Sequence, residues 1–259
     1  MPEGDTIHYA ANRIRPVLEG HVPDEIRTPH RRFQRDRWPE RLAGREVKRV
    51  EARGKHLMIR FEGNLTIHSH LRMTGAWDVV PRGSQWRKDP RRAWLVMRHG
   101  DREVIQFDGP VLELMTDGRT RFDQRIAGLG PDVVSPQPFD DRAYLRRLRE
   151  DDPTRPIGDT LLDQKVVAGM GTVWRSEACW CAAIDPWRPT SSITDEEALA
   201  LVHKVRSPMQ QSAIEGFQSR DQHVFERAGR PCSRCGTLIR RATQGDDNRR
   251  LFWCPGCQR

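Results

Sequence analysis

The stretch His56-Leu57-Met58-Ile59-Arg60-Phe61-Glu62-Gly63-Asn64-Leu65-Thr66-Ile67-His68-Ser69-His70 reads as two strands joined by a tight turn. Leu57, Ile59 and Phe61 alternate with His56, Met58 and Arg60, the two-residue period of a strand. Gly63-Asn64 suits the reversal between them. Outward from this hairpin the same character continues. Val47–Arg53 before it, and residues 77–80, 93–98, 103–107 and 111–115 after it, are short runs rich in branched and aromatic side chains. No helical pattern separates them. Many short strands at close spacing predict an antiparallel sandwich or barrel-like sheet.

Both flanks read as helical. Ile7, Ala10, Ala11, Ile14, Val17 and Leu18 recur at three- and four-residue steps, which predicts an amphipathic helix closed by Gly20 and bent by Pro16. Residues 30–41 are basic and poor in apolar groups, and read as a solvated loop. Residues 128–139 hold Gly128, Gly130, Pro131, Pro136 and Pro138, the composition of a linker. Beyond it Asp141–Glu150 and residues 156–164 and 173–182 read as helices. Thr194-Asp195-Glu196-Glu197 has capping-box spacing ahead of Ala198, Leu201, Val202 and Val205. The expected fold class is α+β in two domains. Residues 1–130 form a β-sandwich with a flanking helix, 131–140 a linker, 141–226 a helical domain and 227–259 a cysteine-bearing hairpin.

The chain of 259 residues is long enough for one large domain or two ordinary ones. It carries 44 Lys and Arg against 36 Asp and Glu, an excess that favours a polyanionic partner. There is no long apolar run and no signal-peptide pattern, since Arg13, Arg15 and Pro16 interrupt the first apolar stretch. A soluble cytosolic protein with no membrane partner is therefore expected. Four of the six cysteines form Cys232-x-x-Cys235 and Cys254-x-x-Cys257. Two close pairs of thiolates suit one tetrahedral zinc ion, closed and structural, with no open position for catalysis. The zinc would clamp a hairpin with strands over residues 237–242 and Arg249–Trp253 and a turn at Asp246-Asp247-Asn248. Cys179 and Cys181 stand apart as ordinary thiols.

Four further stretches carry chemistry. In Met1-Pro2-Glu3-Gly4-Asp5, removal of Met1 would leave Pro2 as a secondary amine. An α-amino group titrates near 7.7–8.0, so about a third of it is unprotonated at pH 7.5, against about a tenth of a percent of a lysine. Such an amine attacks an aldehyde carbon to give an iminium, and Glu3 stands next to it to move protons. The same residues also suit the plain opening of a helix. Val167-Ala168-Gly169-Met170-Gly171-Thr172 makes a double-glycine turn into a helix, either an anion site or a closely packed helix hairpin. Arg53-Gly54-Lys55 puts a lysine at a strand entry, where a solvated lysine is the commoner case. Ser69-His70-Leu71-Arg72-Met73-Thr74-Gly75 ends a strand with a cation beside an unbranched apolar side chain. At a loop tip that pair could wedge between bases and fill the space of a flipped nucleotide; otherwise Met73 is buried and Arg72 lies on the surface.

Together these stretches resemble the formamidopyrimidine-DNA glycosylase and endonuclease VIII family of DNA repair enzymes, over the whole chain and in the family's motif order. The initial Pro-Glu-Gly is similar to the endonuclease VIII branch. Arg53-Gly54-Lys55, the segment from His70, the Leu161-Leu162-Asp163-Gln164…Ala168-Gly169-Met170-Gly171 element and the closing Cys254-Pro255-Gly256-Cys257-Gln258 match as well. The resemblance implies a β-sandwich followed by a helix–two-turn–helix domain and a zinc finger, with damaged double-stranded DNA between them and the protein acting as a monomer. It implies Pro2 as nucleophile, Glu3 as acid and base, and Lys55 near the lesion. It also implies DNA contacts at Arg72, Met73, Gln164, Gly169, Gly171, Thr172 and Arg249. Three positions depart from the family pattern. Thr172 stands where Asn is usual, Thr6 where Glu is common, and residues 106–112 lack the Arg-x-Phe-Gly of the formamidopyrimidine branch, although Met73 resembles that branch's wedge. The implied activity is removal of oxidised bases, pyrimidines first, followed by β,δ-elimination without a catalytic metal. The competing readings are a non-enzymatic zinc-bearing DNA-binding protein on the same scaffold and a glycosylase that prefers oxidised purines.

Overall fold

The computed structural model describes residues 2–33 and 36–259, and the chain divides into two compact units. The first holds Pro2 and Thr6–Ala127; the second holds Glu3–Asp5 and Gly128–Arg259. The chain therefore starts its first helix in one unit and continues it in the other.

Helix α1 spans Gly4–Leu18, three residues longer at its start than the apolar period from Ile7 suggests. Its stripe of Ile7, Ala11, Ile14 and Leu18 is buried in the core of the first unit, and Pro16 is accommodated inside it. The strands are β1 Glu25–Arg27, β2 Val47–Arg53, β3 His56–Phe61, β4 Leu65–His70, β5 Ala76–Pro81, β6 Ala93–His99, β7 Arg102–Phe107 and β8 Val111–Thr116. They form two antiparallel four-stranded sheets, ordered β1-β6-β7-β5 and β2-β3-β4-β8. Leu57, Ile59, Phe61 and Ile67 from one sheet share a core with Trp77, Val79, Leu95 and Val104 from the other, the layering of a sandwich. Between β3 and β4, Gly63 and Asn64 both take positive φ, as the tight reversal requires.

His56 and Met58, in the row that alternates with Leu57 and Ile59, are buried as well; after β8 the chain continues as α3 (Asp117–Phe122), packed against β4 and β8, and α4 (Gln124–Ala127), with Thr120 and Ile126 buried. One sequence expectation is corrected here. The basic stretch 30–41 is not merely a solvated loop. Phe33 and Trp38 are buried, Trp38 opens the short α2 (Trp38–Leu42), and the His30 ring stacks on Trp94 at 4.4 Å. Gln34 and Arg35 of that stretch lie outside the described residues.

The second unit is helical, with α5 Asp141–Glu150, α6 Ile157–Thr160, α7 Thr172–Ala182 and α8 Asp195–Glu215. Thr194 caps α8 with both halves of a capping box, and α8 runs on through Pro208. Residues 131–140, expected as a linker, pack in this unit: Val133 and Val134 enter its core, and Ala168 donates its N–H to the carbonyl of Pro131 at 2.9 Å. The helix expected over 156–164 is only the short α6, followed by turns. The hairpin is β9 Arg240–Gln244 against β10 Arg249–Trp253. Its first strand starts three residues later than expected, because residues 237–239 bond back to the first cysteine knuckle. Cys232 donates to Thr237 O at 2.9 Å and Ile239 to Arg230 O at 3.0 Å.

Candidate functional site

Helix α7 organises the second unit. Nearly all of it is buried, and its start lacks the usual side-chain cap from its own N-cap residue, Gly171. The orphan donors are taken by the third residue of the chain. Glu3 Oε1 accepts the N–H of Val173 at 2.8 Å, and Glu3 Oε2 accepts that of Trp174 at 3.3 Å. A helix start favours negative charge at this place, so the carboxylate is held by geometry and by field together. Gly4 donates to Gly169 O at 2.9 Å. The two strands of backbone run so close that a Cβ on Gly4 would lie 2.6 Å from Gly169 Cα, and one on Gly171 would lie 2.3 Å from Glu3 Cδ. Gly171 thus makes room for Glu3. Pro2, one peptide earlier, is half-buried; Met1 lies outside the described residues.

The double-glycine turn is held from within. Gln164 accepts the N–H of Gly169 at 3.0 Å and donates to the carbonyls of Leu162 and Met170 at 2.9 and 3.0 Å. Both ends of its amide are engaged, so Gln164, expected among the DNA contacts, shapes the turn that would make them. Gly169 has φ +93°, and Thr172 is buried as the first residue of α7.

In the first unit Lys55 sits half-buried in the turn between β2 and β3, while Arg72 and Met73 follow the end of β4. Because His56 pairs with His70 across β3 and β4, these two loops emerge at the same end of one sheet. Arg72 takes the left-handed conformation at φ +48°, and its N–H donates to His70 Nδ1 at 3.1 Å. Met73 is 60% exposed, so it is presented at the tip and the buried reading is set aside. Behind this loop runs a polar chain that sequence reading missed. His56 Nδ1 lies 2.8 Å from His68 Nε2, His68 Nδ1 lies 3.5 Å from Glu113 Oε2, and Glu113 pairs with Arg125 at 2.7 Å. A donor at His68 Nδ1 facing Glu113 makes His68 Nε2 the acceptor, so His56 donates at Nδ1. Burial lowers all three histidines. His56 falls to about 3, helped by His70 and His68; His70 falls to about 4, helped by Arg72 and Lys55; His68 is held up only in part by Glu113. The signal available in the sequence was the spacing of His68 and His70 opposite His56.

The four cysteines come together: the Sγ atoms of Cys232, Cys235, Cys254 and Cys257 all lie within 4.8 Å of one another. A zinc ion with Zn–S bonds of about 2.3 Å needs sulfurs about 3.8 Å apart, and this donor set fits it. Cys232 and Cys257 are 3.9 Å apart, Cys235 and Cys254 3.4 Å. Trp180 Nε1 donates to Cys232 Sγ at 3.3 Å, tying the cluster to α7. Cys179 and Cys181 stay outside it, and burial pushes their thiols up to about 12 and about 11.

Arg249 lies at the start of β10 and pairs with Asp247 at 3.1 Å, while Arg250 pairs with Glu226 at 3.5 Å. The backbone carbonyls of both accept from one buried guanidinium, Arg175 Nη2, at 3.2 and 2.8 Å. Burial lowers Arg175 to about 10. Glu177, two residues on, accepts the N–H groups of His223, Val224 and Phe225 at 2.8 to 3.1 Å. Neither residue was singled out from sequence; their signal was two charges inside an otherwise uncharged helix. No helix among the described residues is long and apolar enough to cross a membrane.

Comparison with known proteins gives two family matches. Residues 1–126 match the formamidopyrimidine-DNA glycosylase N-terminal domain, and residues 129–223 match the formamidopyrimidine-DNA glycosylase H2TH domain. A probable endonuclease 8 2 of Streptomyces coelicolor is 39% identical, with all of this chain aligned to 94% of that protein. The DNA-(apurinic or apyrimidinic site) lyase Nei2 of Mycolicibacterium smegmatis is 36% identical, covering 100% and 99% of the two chains. Among solved structures, Lactococcus lactis Fpg in complex with DNA containing an abasic site superposes with a TM-score of 0.83 over the whole of both chains at 22% identity, a likeness of fold.

Proposed function

The chain belongs to the formamidopyrimidine-DNA glycosylase and endonuclease 8 family, and from that premise we propose how its residues perform glycosylase and lyase chemistry on DNA. It is a DNA glycosylase with abasic-site lyase activity, a base excision repair enzyme. The nucleophile is the amine of Pro2. It attacks C1′ of the damaged nucleotide, the bond to the base breaks, and the base leaves with a proton. The nitrogen lone pair then opens the sugar ring at C1′–O4′, with O4′ taking a proton, to give the iminium; loss of the acidified C2′ proton expels the 3′ phosphate, and later loss of the C4′ proton expels the 5′ phosphate. Glu3 moves protons around the adduct. The observation that carries this reading is the fixing of Glu3 by two N–H groups of α7, which holds a buried carboxylate one residue from the amine.

Lys55 and Arg72 supply cations at one end of the sandwich sheet, and Met73 is the wedge that fills the stack when a nucleotide leaves it. The Gly169–Thr172 turn and Arg249 grip phosphate. One zinc ion, held by Cys232, Cys235, Cys254 and Cys257, is structural. Oxidised pyrimidines are the preferred substrates, as the endonuclease VIII-like terminus and the missing Arg-x-Phe-Gly suggest. Borohydride trapping on DNA with an abasic site tests the chemistry, with the adduct mapped by peptide mass to Pro2. An adduct on Lys55 instead would overturn it. Single-turnover rates on thymine glycol, 5-hydroxyuracil and 8-oxoguanine test the preference, which fails if 8-oxoguanine is fastest.

A further inference from the structure

Asp5 is fully buried, and it is bonded to residues more than 200 positions along the chain. Its Oδ2 accepts from Arg220 Nε at 2.7 Å and from Ser212 Oγ at 2.6 Å, and its Oδ1 accepts from Arg220 Nη2 at 2.6 Å. Arg220 is itself 7% exposed at the side chain, and its guanidinium lies 5.8 Å from the centre of the Trp174 ring. Trp174 is also the residue whose N–H reaches Glu3. Glu3 and Asp5 thus hold the start of the chain at two points, one on the first turn of α7 and one on the end of α8 with the segment after it. Gly4 between them is pressed onto Gly169.

Burying two charges is costly, and a well-packed apolar pair often does as well for stability. Geometry is what an ion pair adds: a fork of two parallel N–H groups fixes a carboxylate in direction as well as distance. The residue whose direction matters here is Pro2, three peptides before Asp5. Pro2 is joined to Glu3 by one trans peptide, about 3.8 Å between Cα atoms, with little freedom once Glu3, Gly4 and Asp5 are fixed.

We propose that Asp5 and Arg220 are a positioning pair, braced by Ser212, that sets the attack geometry of the chain's N-terminal amine. The proposal rests on the reading of Pro2 as nucleophile. Asp5 takes no part in proton transfer, since its oxygens are occupied by Arg220 and Ser212. The pair also accounts for a carboxylate beside Thr6 that does not serve as a second acid. A misplacement of about 1 Å at a reacting group can lower a rate by about a hundredfold while leaving remote binding contacts intact.

The test uses the full-length protein with zinc bound. Asp5→Asn keeps the shape and removes the charge; Arg220→Lys keeps the charge and removes the fork. Two quantities are measured for each: the single-turnover rate of borohydride-trapped adduct on abasic DNA, and the Kd for DNA carrying a tetrahydrofuran abasic analogue. Both variants are expected to lose roughly ten- to a hundredfold in trapping rate with Kd changed by less than about threefold. The double variant should be no slower than the worse single one, because the two side chains act as one unit. Trapping at the wild-type rate overturns the proposal, and so does a loss of Kd matching the loss of rate, which would make the pair a fold element only. Failure of the Pro2 reading shows separately, as wild-type protein whose adduct maps elsewhere.

Discussion

The carboxylate of Glu3 accepts the N–H of Val173 at 2.8 Å, across 170 positions of sequence. The acid–base group proposed for the reaction is therefore also the cap of the helix that carries the second unit. Glu3→Gln keeps one acceptor oxygen for that helix but cannot shuttle a proton. Base removal is expected to fall by about a hundredfold or more, the usual scale for a lost general acid or base, with a smaller loss on a preformed abasic site. An abasic site has no base to expel. Parallel single-turnover assays on a base lesion and on abasic DNA decide it, and the opposite order would take Glu3 out of the leaving-group step.

Gly171→Ala should act on the same carboxylate from the other side. The added Cβ would lie 2.3 Å from Glu3 Cδ, and no rotamer of alanine avoids it. Glu3 must move off the N–H groups of Val173 and Trp174, leaving buried donors unmet at a cost of about 1–3 kcal/mol. The expected result is a lower melting temperature together with a base-removal defect resembling Glu3→Gln. A Gly171→Ala protein with wild-type activity would show that the cap is dispensable to the chemistry.

The histidine chain predicts a pH dependence of stability. His56 titrates near 3 and His70 near 4 in the folded protein, against 6.5 for an unperturbed side chain. Below pH 6.5 the unfolded chain binds protons that the folded one refuses, so stability is full above that pH and falls as the pH drops toward 4. Each such histidine contributes up to about 1.4 kcal/mol per pH unit across that window. Urea unfolding of the full-length protein at steps from pH 7.5 to 4.5 measures the slope. His56→Asn, which keeps an amide donor for His68, should flatten it, and an unchanged slope would place the titrating groups elsewhere.

What the sequence made legible follows from range. The strand periods, the capping box at Thr194, the cysteine pairs and the double-glycine turn are local patterns, and each appears in the fold where its residues stand. The contacts that position the site are not local. Asp5 with Arg220, Glu3 with Val173, and Arg175 with the carbonyls of Arg249 and Arg250 join residues 74 to 215 positions apart, and nothing in a window of sequence encodes such a pairing. Gln164 shows the limit in another way. Its position matched a DNA-contact motif, while its amide turned out to hold the turn itself.

Arg175 yields a prediction no motif offered. Its guanidinium is buried and donates to Gly158 O and Gln244 Oε1 at 3.3 Å as well as to the two hairpin carbonyls. Arg175→Met is close in length and apolar, but it strands those acceptors. The expected loss is about 3–5 kcal/mol, the scale for removing one partner of a buried charged network. Zinc content should stay near one per chain, since no cysteine is touched. DNA affinity should fall because the strand carrying Arg249 loses its support. Loss of zinc along with affinity would mean that the hairpin cannot hold its metal without α7.

The hairpin itself carries the last prediction. Arg249 and Arg250 are neighbours on β10, opposite Gln244 and Thr243, so their side chains leave the strand on opposite faces. In the free protein each rests on an acid, Asp247 for Arg249 and Glu226 for Arg250, and such exposed pairs are weak enough for a phosphate to displace. On the proposed reading one of these faces lies against DNA, and family resemblance together with the spacing to Cys254 selects Arg249. Arg249→Ala should weaken binding by about ten- to a hundredfold across sequences and lower the salt slope by about one unit. Arg250→Ala should cost much less, because it frees Glu226 and touches no phosphate. Both variants should keep zinc and fold. Cys254→Ser should differ in kind: with a ligand gone the cluster loses its metal, and a module of this size depends on zinc for its folding energy. Its hairpin should come apart while the sandwich remains folded. Salt-dependent binding isotherms with zinc measured on each protein make the comparison, and a larger loss for Arg250→Ala than for Arg249→Ala would turn the DNA-facing side of β10 over.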